Sequence, residues 1–365
     1  MNQDFEPVCR RMEWLDPFYQ SVWEKAFQDA IPISGTFELT PRCNLNCRMC
    51  YVHLPAEEIP CHGRELTAAE WLRIAEEARE AGTTWLCITG GEPLMHPEFP
   101  EIWRGLCEMG FFITLQTNAT MVEGKMAELL EQYPPRSAKI TLYGSNDEVY
   151  EAVCRVKQGF TRAHAGIRRL MEMRIPIQLV STIIRQNEAD AQRMALFAYY
   201  YHLPWVATGS IKSSLRGAHS EAEEVRVTEK LEEAKQEQIR HRLKEHPVDI
   251  TRKPCTYCKD YRLGYWILWD GSMRFCSFMN EPDISIRDRS FREAWQALVQ
   301  YEEELDWPPE CKSCSVSKAC FKCAATLATE CGSVHRVNDA FCNRVKQYYD
   351  EEKGKWKLWH REAIM

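Results

Sequence analysis

The sequence predicts an α/β protein in which a partial (β/α)6 barrel is followed by a small, cysteine-rich C-terminal domain. Between about residues 31 and 210, strand-like apolar runs alternate with amphipathic helical patterns. Repeated βα units with apolar strands indicate a parallel sheet covered by helices, and six units are fewer than the eight of a closed barrel. Beyond residue 250 the pattern changes to short strands and turns, and nine of the 17 cysteines lie between 255 and 342.

The elements of the barrel follow from the period of their apolar residues. Short apolar runs predict strands, and apolar residues three and four apart predict helices. The predicted strands are residues 35–39, 85–89, 111–116, 139–142, 177–184 and 205–208. The predicted helices are residues 68–81, 100–109, 124–132, 160–173 and 189–201. In parallel α/β folds the chemistry lies beyond the carboxyl ends of the strands, so the functional residues are expected at that edge.

The chain divides into five predicted segments. Residues 1–34 are expected to be an N-terminal helical extension, and residues 35–218 form the barrel. A dense run of charged residues predicts an exposed, ion-paired helix over 219–250 that bridges two domains. Residues 251–345 form the cysteine-rich domain, and the aromatic and basic tail predicts a C-terminal helix over 346–365.

Composition excludes several classes of protein. The 365 residues are 45% hydrophobic and 27% charged, which is typical of a globular chain rather than a disordered one. A net charge of -7 argues against a nucleic-acid partner. No apolar run is long enough to cross a membrane, and the N-terminus lacks the apolar core of a signal peptide. We therefore expect a cytoplasmic protein without a membrane partner.

The cysteine content is high for a reducing compartment. Without a secretion signal, disulfides explain it poorly, which leaves metal ligation, catalysis or burial as small hydrophobes. Spacing decides among these. Five cysteines have no partner at ligand spacing and are expected to be core or surface thiols: Cys9, Cys61, Cys87, Cys107 and Cys154.

A cysteine triplet follows the first predicted strand. Cys43, Cys47 and Cys50 form a C-x3-C-x2-C pattern, followed by the aromatic residue Tyr51. Three thiolates on one short loop hold three irons of a cubane cluster and leave the fourth iron open to a ligand. Taken alone, the triplet is also compatible with chance or with half of a zinc site.

A glycine-rich segment, Gly90-Gly91-Glu92-Pro93, follows the second predicted strand. Glycines allow a backbone to approach a ligand closely. The two motifs, in this order and each after its strand, resemble the hallmarks of the radical S-adenosylmethionine (SAM) superfamily.

This resemblance implies a mechanism and a cofactor pocket. A reduced 4Fe-4S cluster on Cys43, Cys47 and Cys50 would chelate SAM and cleave it to methionine and a 5′-deoxyadenosyl radical, which abstracts hydrogen from a substrate carbon. A flavodoxin- or ferredoxin-type protein would supply the electron. Carried over from the family, the residues that would contact SAM are Tyr51, Gly90, Gly91, Glu92, Pro93, Thr117, Asn118, Tyr143, Arg155 and Thr182.

The C-terminal cysteines occur as Cys255-x2-Cys258, Gly271-x4-Cys276 and Cys311-x2-Cys314-x5-Cys320-x2-Cys323, followed by Cys331 and Cys342. Paired C-x2-C units are also zinc-ribbon spacing. Their order and intervals resemble the SPASM extension of radical SAM enzymes, although the family usually has x3 before the residue matching Cys323. The resemblance then covers residues 35–345 and implies two auxiliary 4Fe-4S clusters, three clusters in all.

The family scheme assigns four ligands to each auxiliary cluster. Cluster I would use Cys255, Cys258, Cys276 and Cys323. Cluster II would use Cys311, Cys314, Cys320 and Cys342, with Cys331 as the alternative to Cys342.

The resemblance also indicates a class of reaction. SPASM enzymes mostly modify ribosomally made peptides, so oxidative modification or crosslinking of a peptide is expected. Sulfatase-oxidising members carry Asp where this chain has Ser277, which disfavours that activity. The segment before strand one is shorter than a leader-binding domain of about 80 residues, so a separate leader-peptide-binding protein or direct binding is expected.

Two other functions stay open. One is a small-molecule dehydrogenase or epimerase on the same scaffold, and the other is a zinc-stabilised, non-catalytic adaptor. The sequence identifies no general acid or base.

Overall fold

The computed structural model describes residues 17–209, 211–222, 224–226, 249–317, 320, 322–350 and 355–356. The strands are β1 (Ser34–Glu38), β2 (Trp85–Thr89), β3 (Phe112–Thr117), β4 (Ser137–Thr141), β5 (Ile177–Thr182), β6 (Trp205–Thr208), β7 (Gly264–Ile267), β8 (Ser272–Arg274), β9 (Ile284–Ser285), β10 (Tyr349–Asp350) and β11 (Lys355–Trp356). The helices are α1 (Pro17–Asp29), α2 (Ile59–His62), α3 (Ala68–Glu80), α4 (Phe99–Glu108), α5 (Gly124–Gln132), α6 (Asp147–Cys154), α7 (Gly159–Glu172), α8 (Ala191–Tyr200), α9 (Phe291–Glu304), α10 (Pro309–Lys312), α11 (Ala324–Cys331) and α12 (Asp339–Tyr348).

A nine-stranded sheet organises the chain in the order β6-β5-β4-β3-β2-β1-β7-β8-β9. Strands β1 to β6 are parallel neighbours in sequence order. The sheet ends at β6 on one side and β9 on the other, so it is open rather than closed. The expectation of six βα units in an unclosed parallel sheet is therefore confirmed.

Most predicted boundaries lie within two residues of those observed, and three predicted elements, β2, β6 and α5, match at both ends. The sequence-based interpretation missed α6. A signal for it was present, because the side chain of Asn146 accepts a hydrogen bond from the Val149 amide as an N-cap, and Asp147 and Glu148 follow in the first turn.

The cysteine-rich part of the chain continues the barrel sheet. Strand β7 pairs in parallel with β1, with Ser34 opposite Gly264, and β8 and β9 extend the sheet in antiparallel fashion. One hydrophobic core runs across the junction and contains both Phe37 of β1 and Phe275. A smaller core surrounds Trp307. The division of the chain into domains therefore stays a prediction, because sheet and core are shared.

Three predicted segments fall partly outside the described residues. Residues 1–16 of the N-terminal extension do, while α1 accounts for much of the remainder. Most of the predicted bridging helix, residues 227–248, also lies outside them. None of the helices within the described ranges is both long and apolar enough to cross a membrane.

Within the predicted C-terminal helix over 346–365, residues 346–348 are helical, whereas residues 349–350 and 355–356 form strands instead. Helix α12 ends at Tyr348, and β10 then pairs antiparallel with β11, with Tyr349 opposite Trp356. Gly354 lies between the two strands in the sequence and is a turn signal that the helical interpretation overlooked. The other residues of this tail after 350 lie outside the described ranges.

Candidate active site

A cavity of about 240 Å³ lies at the carboxyl ends of the barrel strands. The triplet cysteines Cys43, Cys47 and Cys50 line it together with Gly90 and Gly91. The two sequence motifs, about forty residues apart in the chain, thus lie around one cavity.

Threonines form a rim around this cavity. Each of β2 to β6 ends in threonine, and all five of these residues line the cavity: Thr89, Thr117, Thr141, Thr182 and Thr208. Because the carboxyl ends of parallel strands share one edge, these five residues border the same space. The sequence-based interpretation included only Thr117 and Thr182.

The cysteine loop is held by backbone contacts. The amide of Leu45 donates to Cys43 Sγ at 3.4 Å, and the amide of His53 donates to Cys50 Sγ at 3.3 Å. The loop also docks on the end of α6, where the Asn46 amide donates to the Cys154 carbonyl at 3.0 Å. Backbone amides aimed at sulfur favour thiolates, which is the form that ligates metal.

The three thiols also interact electrostatically. Burial raises the pKa of Cys50 to about 11, and the charge of Cys47 adds to the rise. Burial, followed by Glu92 and the other two cysteines, raises the pKa of Cys43 well above its usual range. Buried thiolates this close together require a cation, and soft sulfur ligands select iron–sulfur clusters, zinc or copper(I). The donor set therefore fits the cluster that the motif implies.

Cys154 belongs to this cluster of sulfur atoms although its spacing did not indicate it. A hydrogen bond with the Cys154 thiol, followed by burial, raises the pKa of Cys47 well above its usual range, and a hydrogen bond with Tyr143 lowers it. Cys154 is fully buried, as the expectation of a core thiol requires.

The two motif glycines are needed for the approach of the cysteine loop. The Gly91 amide donates to the Thr40 carbonyl and the Glu92 amide to the Arg42 carbonyl, both at 2.8 Å. A Cβ at Gly90 would lie 2.6 Å from the Thr40 oxygen, and one at Gly91 would lie 2.5 Å from the Arg42 oxygen. Larger residues would therefore separate the two loops that line the cavity.

Glu92 and Pro93 are buried and are not among the described residues that line the cavity, so their contact with SAM stays a prediction. The Glu92 carboxylate accepts from Thr117 Oγ1 at 2.7 Å, from the Asn118 amide at 2.8 Å and from the Leu94 amide at 3.2 Å. Burial raises the pKa of Glu92 to about 7, although these three hydrogen bonds lower it. Glu92 therefore fixes the end of β3, whose Thr117 and Asn118 line the cavity.

The contact of Arg155 with SAM also stays a prediction. Arg155 follows α6 in a left-handed conformation with φ 57°, and its guanidinium pairs with Glu221, which also pairs with Arg48 at 2.7 Å. Arg155 is not among the residues that line the cavity. The Arg155–Glu221 pair attaches the segment after β6 to the end of α6, and the Arg48–Glu221 pair attaches the same segment to the cysteine loop.

The remaining predicted SAM contacts, Tyr51, Tyr143, Asn118 and Thr182, line the cavity. The Tyr51 hydroxyl lies 3.4 Å from Ser277 Oγ, and its ring packs on Phe278 with centroids 4.6 Å apart. Tyr51 thereby joins the cysteine loop to the residues that follow Cys276.

Sequence reasoning missed the segment after β6. Ile211 and Lys212 line the cavity, and the Leu215 amide donates to the Tyr51 carbonyl at 3.2 Å. Arg216 pairs with Glu38 at the end of β1. No spacing rule identifies these residues, because their partners lie on distant parts of the chain.

The C-terminal cysteines form two groups of four. Burial, then the charges of Glu302, Cys258, Cys323 and Cys276, raises the pKa of Cys255 well above its usual range. Burial raises the pKa of Cys276 to about 12, and the charge of Cys323 contributes to the rise.

In the second group, burial raises the pKa of Cys320 to about 12, although the charge of Lys322 lowers it. Smaller increases come from the charges of three other cysteines, Cys311, Cys314 and Cys342. Cys331 packs against the same small core as Cys311, Cys320 and Cys342, so the choice between Cys331 and Cys342 stays a prediction. Across the described ranges, no three His, Cys, Asp or Glu side chains converge closely enough to hold a single metal ion. Four thiols around a cubane are wider apart, because each binds a different iron.

Comparison with known proteins identifies the barrel. Residues 37–198 match the family model described as the Radical SAM superfamily. The chain is 26% identical to the AdoMet-dependent heme synthase of Methanosarcina barkeri over 79% of this chain and 90% of that protein. It is 29% identical to the PqqA peptide cyclase of Ruegeria pomeroyi over 44% of this chain and 42% of that protein.

The fold also matches a solved structure. The crystal structure of Streptococcus suis SuiB bound to precursor peptide SuiA superimposes with a TM-score of 0.63 at 15% identity, over 90% of this chain and 81% of that one. This likeness confirms the partial-barrel α/β fold.

Proposed function

The chain belongs to the radical SAM superfamily, and we propose that it reductively cleaves SAM to generate a 5′-deoxyadenosyl radical that oxidatively modifies or crosslinks a ribosomally made peptide. The observation that carries the proposal is the single cavity lined by Cys43, Cys47, Cys50, Gly90 and Gly91. Three thiolates bind three irons of a 4Fe-4S cluster and leave the fourth for SAM.

The cluster and SAM supply the radical chemistry, and the chain supplies position and shielding. Backbone amides directed at Cys43 and Cys50 stabilise thiolates. Tyr51 and Phe278 close one side of the cavity, which limits the entry of water and of groups that would quench a radical. The threonine rim and Asn118 provide hydroxyl and amide groups for a polar cofactor such as SAM.

The two groups of four cysteines support two auxiliary 4Fe-4S clusters. Cluster I uses Cys255, Cys258, Cys276 and Cys323, whose charges act on one another. Cluster II uses Cys311, Cys314, Cys320 and Cys342 for the same reason. After the radical has abstracted one hydrogen atom, loss of a second hydrogen from the peptide would leave one proton and one electron, and a bound auxiliary cluster would supply an acceptor for that electron.

A peptide substrate is supported by the relatives. PqqA peptide cyclase is named for a peptide, and SuiB was solved with the precursor peptide SuiA. A flavodoxin- or ferredoxin-type protein would supply the electron, and a separate leader-binding protein would present the peptide.

A small-molecule substrate is the second candidate, for one specific observation. The alignment with the heme synthase spans 79% of this chain at 26% identity, and an alignment with the PqqA peptide cyclase of Granulibacter bethesdensis spans 78% of it at the same identity. A relative named for heme synthesis therefore matches as much of the chain as one named for a peptide.

The test is anaerobic incubation of the reconstituted protein with SAM, dithionite and peptides encoded by neighbouring genes. Wild type is expected to release 5′-deoxyadenosine, and a modified peptide should lose the mass of two hydrogen atoms. Cys47→Ala should release none, while Cys107→Ala, which alters a thiol outside the cavity, should behave as wild type. Activity of Cys47→Ala would refute the mechanism, and zinc without sulfide would favour the adaptor.

A further inference from the structure

We propose that Lys139, on the face of the barrel sheet that borders the cavity, binds a carboxylate of the substrate, so that the molecule acted on carries an anionic group. The inference rests on the proposed function, because it concerns the substrate of the same enzyme. Lys139 belongs to β4 and is exposed. It comes two residues before Thr141, which lines the cavity. Side chains two residues apart on a strand share a face and lie about 7 Å apart, so Lys139 lies directly below the rim.

The alternation of burial along the strands separates the two faces of the sheet. Ala138 and Ile140, on either side of Lys139, are fully buried and belong to the core that the sheet shares with the helices. The face that carries Lys139 is open instead. In the parallel register it also carries Phe112 of β3 and Val206 of β6, which are 45% and 50% exposed. A ligand can therefore reach this open face.

Two glutamines flank Lys139 on the neighbouring strands. Gln116 of β3 and Gln178 of β5 both lie opposite Lys139 in the register of the sheet. Neighbouring strands are about 4.8 Å apart, so two amides and one ammonium group form a row across three strands on the open face. Gln116 also lines the cavity, which makes this row continuous with it.

The Lys139 side chain is available to a ligand. Across the described part of the chain, no residue forms an ion pair or a hydrogen bond with it, and it is not one of those with further interactions. Its charge reaches Cys87, which lies on the same face two strands away, and lowers the pKa of that thiol against the larger effect of burial. The ammonium therefore acts across the open face.

Two other charged side chains near this face already have partners. Glu38 of β1 pairs with Arg216, and Lys259, whose charge also reaches Cys87, lies 3.8 Å from the carboxylate of Asp260. The charge of Lys139 has no such counterion, and a recessed surface with one sign of charge attracts ligands of the opposite sign. An ammonium binds carboxylate as a point charge through three donor hydrogens, and the flanking amides offer further donors to the same anion.

This row is distinct from the proposed cofactor site. That site is the cavity around the three cysteines of the first motif, and neither Lys139 nor Gln178 is among the described residues that line it. The row and the exposed residues beside it leave surface for a second molecule. SAM itself carries a carboxylate, so the experiment measures its affinity separately.

An acidic side chain of a peptide and a small acid are the two sources of such a carboxylate, and binding measurements separate them. We would measure equilibrium dialysis of the holoenzyme with SAM present, using four radiolabelled probes. Two are glutarate and its neutral diamide, and two are the capped tripeptides acetyl-Gly-Glu-Gly-amide and acetyl-Gly-Gln-Gly-amide. At least one acidic probe is expected to bind more tightly than its neutral partner.

The variants are Lys139→Gln, Lys139→Arg and, as the matched control, Lys125→Gln at an exposed position of α5. Lys139→Gln should weaken binding of the acidic probe about tenfold, because a charge-assisted hydrogen bond is lost, and should leave the neutral probe unaffected. Lys139→Arg should restore most of the affinity, and Lys125→Gln should have no effect. The dissociation constant of SAM, measured without probe, should be unchanged in all three variants.

Several results would overturn the proposal. Equal binding of acidic and neutral probes, or binding of none, removes its basis, as does unchanged binding by Lys139→Gln. Weakened SAM binding in Lys139→Gln would mean that the carboxylate belongs to SAM. Failure of the wild type to release 5′-deoxyadenosine from SAM would instead refute the proposed function, since probe binding is measured without turnover.

Discussion

Arg216 donates from both terminal nitrogens to the carboxylate of Glu38, at 2.8 and 3.1 Å. Glu38 is the last residue of β1 and Arg216 follows β6, so the pair joins the two ends of the barrel next to the cysteine loop. The side chains are 2% and 12% exposed. A pair this buried adds little net stability, but removal of one partner leaves the other charge buried and uncompensated.

We therefore expect Glu38→Ala to lower the free energy of unfolding by about 3–5 kcal/mol. Replacing both partners, as Glu38→Leu with Arg216→Met, should recover most of that loss, because no charge is then left alone. The matched control is Glu76→Ala, since Glu76 pairs with Arg79 on the surface and exposed pairs contribute little. Urea denaturation under argon measures the free energy of unfolding of all three variants. Equal losses in Glu38→Ala and Glu76→Ala would contradict this prediction.

Because the pKa of Glu92 is raised, we expect the free energy of unfolding to depend on pH. Its pKa in the folded chain is raised to about 7, mainly by burial. Ionisation of Glu92 therefore opposes folding, so its favourable contribution is complete below about pH 4.5 and is lost as pH rises through about 7.

Glu92→Gln removes this titration but also loses one of the three hydrogen bonds. The variant should be less stable than wild type by about 1 kcal/mol near pH 5.5. The difference should shrink or change sign at about pH 8, because wild type then carries a buried carboxylate. Urea midpoints at the two pH values test this, and a gap that widens with pH would refute it.

The barrel could be predicted because it depends on local patterns, and the apolar runs located six strands. Cysteine spacing predicted the cluster ligands, and the paired glycines predicted the second motif loop. Lys212 and Arg216 were not found, since their partners lie far away in sequence and only the folded sheet brings them together. Cys154 was expected only as a core thiol, because its spacing does not show that it lies beside Cys47. For Arg155, the sequence does not reveal that Glu221 binds its guanidinium.

Cys342 and Cys331 provide a test of cluster II. The charge of Cys314 raises the pKa of Cys342, after the larger effect of burial, so Cys342 lies with the ligand group. Cys342→Ala should therefore reduce the iron content from about twelve to about eight per chain, while Cys331→Ala should leave it unchanged. Anaerobic iron and sulfide analysis measures this, and both variants should still cleave SAM. Loss of iron from Cys331→Ala alone would reverse the assignment.

We expect substitutions of Thr182 and Arg155 to affect SAM affinity differently. Thr182 lines the cavity, and Thr182→Val removes its hydroxyl while it keeps the shape of the side chain. We expect this change to weaken SAM binding about fivefold, as loss of a single neutral hydrogen bond would. Arg155→Ala should leave SAM binding within about twofold of wild type, because Arg48 still holds Glu221. Equilibrium dialysis with labelled SAM measures both affinities. A larger loss of SAM affinity in Arg155→Ala than in Thr182→Val would instead support a contact between Arg155 and SAM.

The buried side chain of Lys322 should influence the reduction potential of the proposed auxiliary cluster II. It is 3% exposed, its Nζ donates to the Ser317 carbonyl at 3.1 Å and lies 5.1 Å from the centre of the Trp307 ring. Its charge lowers the pKa of Cys311 and of Cys320, although burial has the larger, opposite effect. A buried cation beside these sulfurs favours the reduced cluster, which carries more negative charge.

Lys322→Met keeps the length of the side chain and removes its charge, so the potential of cluster II should fall by about 100 mV. Lys312→Met is the matched control, because Lys312 is half-exposed and pairs with Asp306 at 2.6 Å. Solvent screens that charge, and the control should shift the potential little. Potentiometric titration followed by electron paramagnetic resonance measures both variants. If the two potentials move equally, the buried position of Lys322 does not set the potential, and its contact with Trp307 is a packing contact alone.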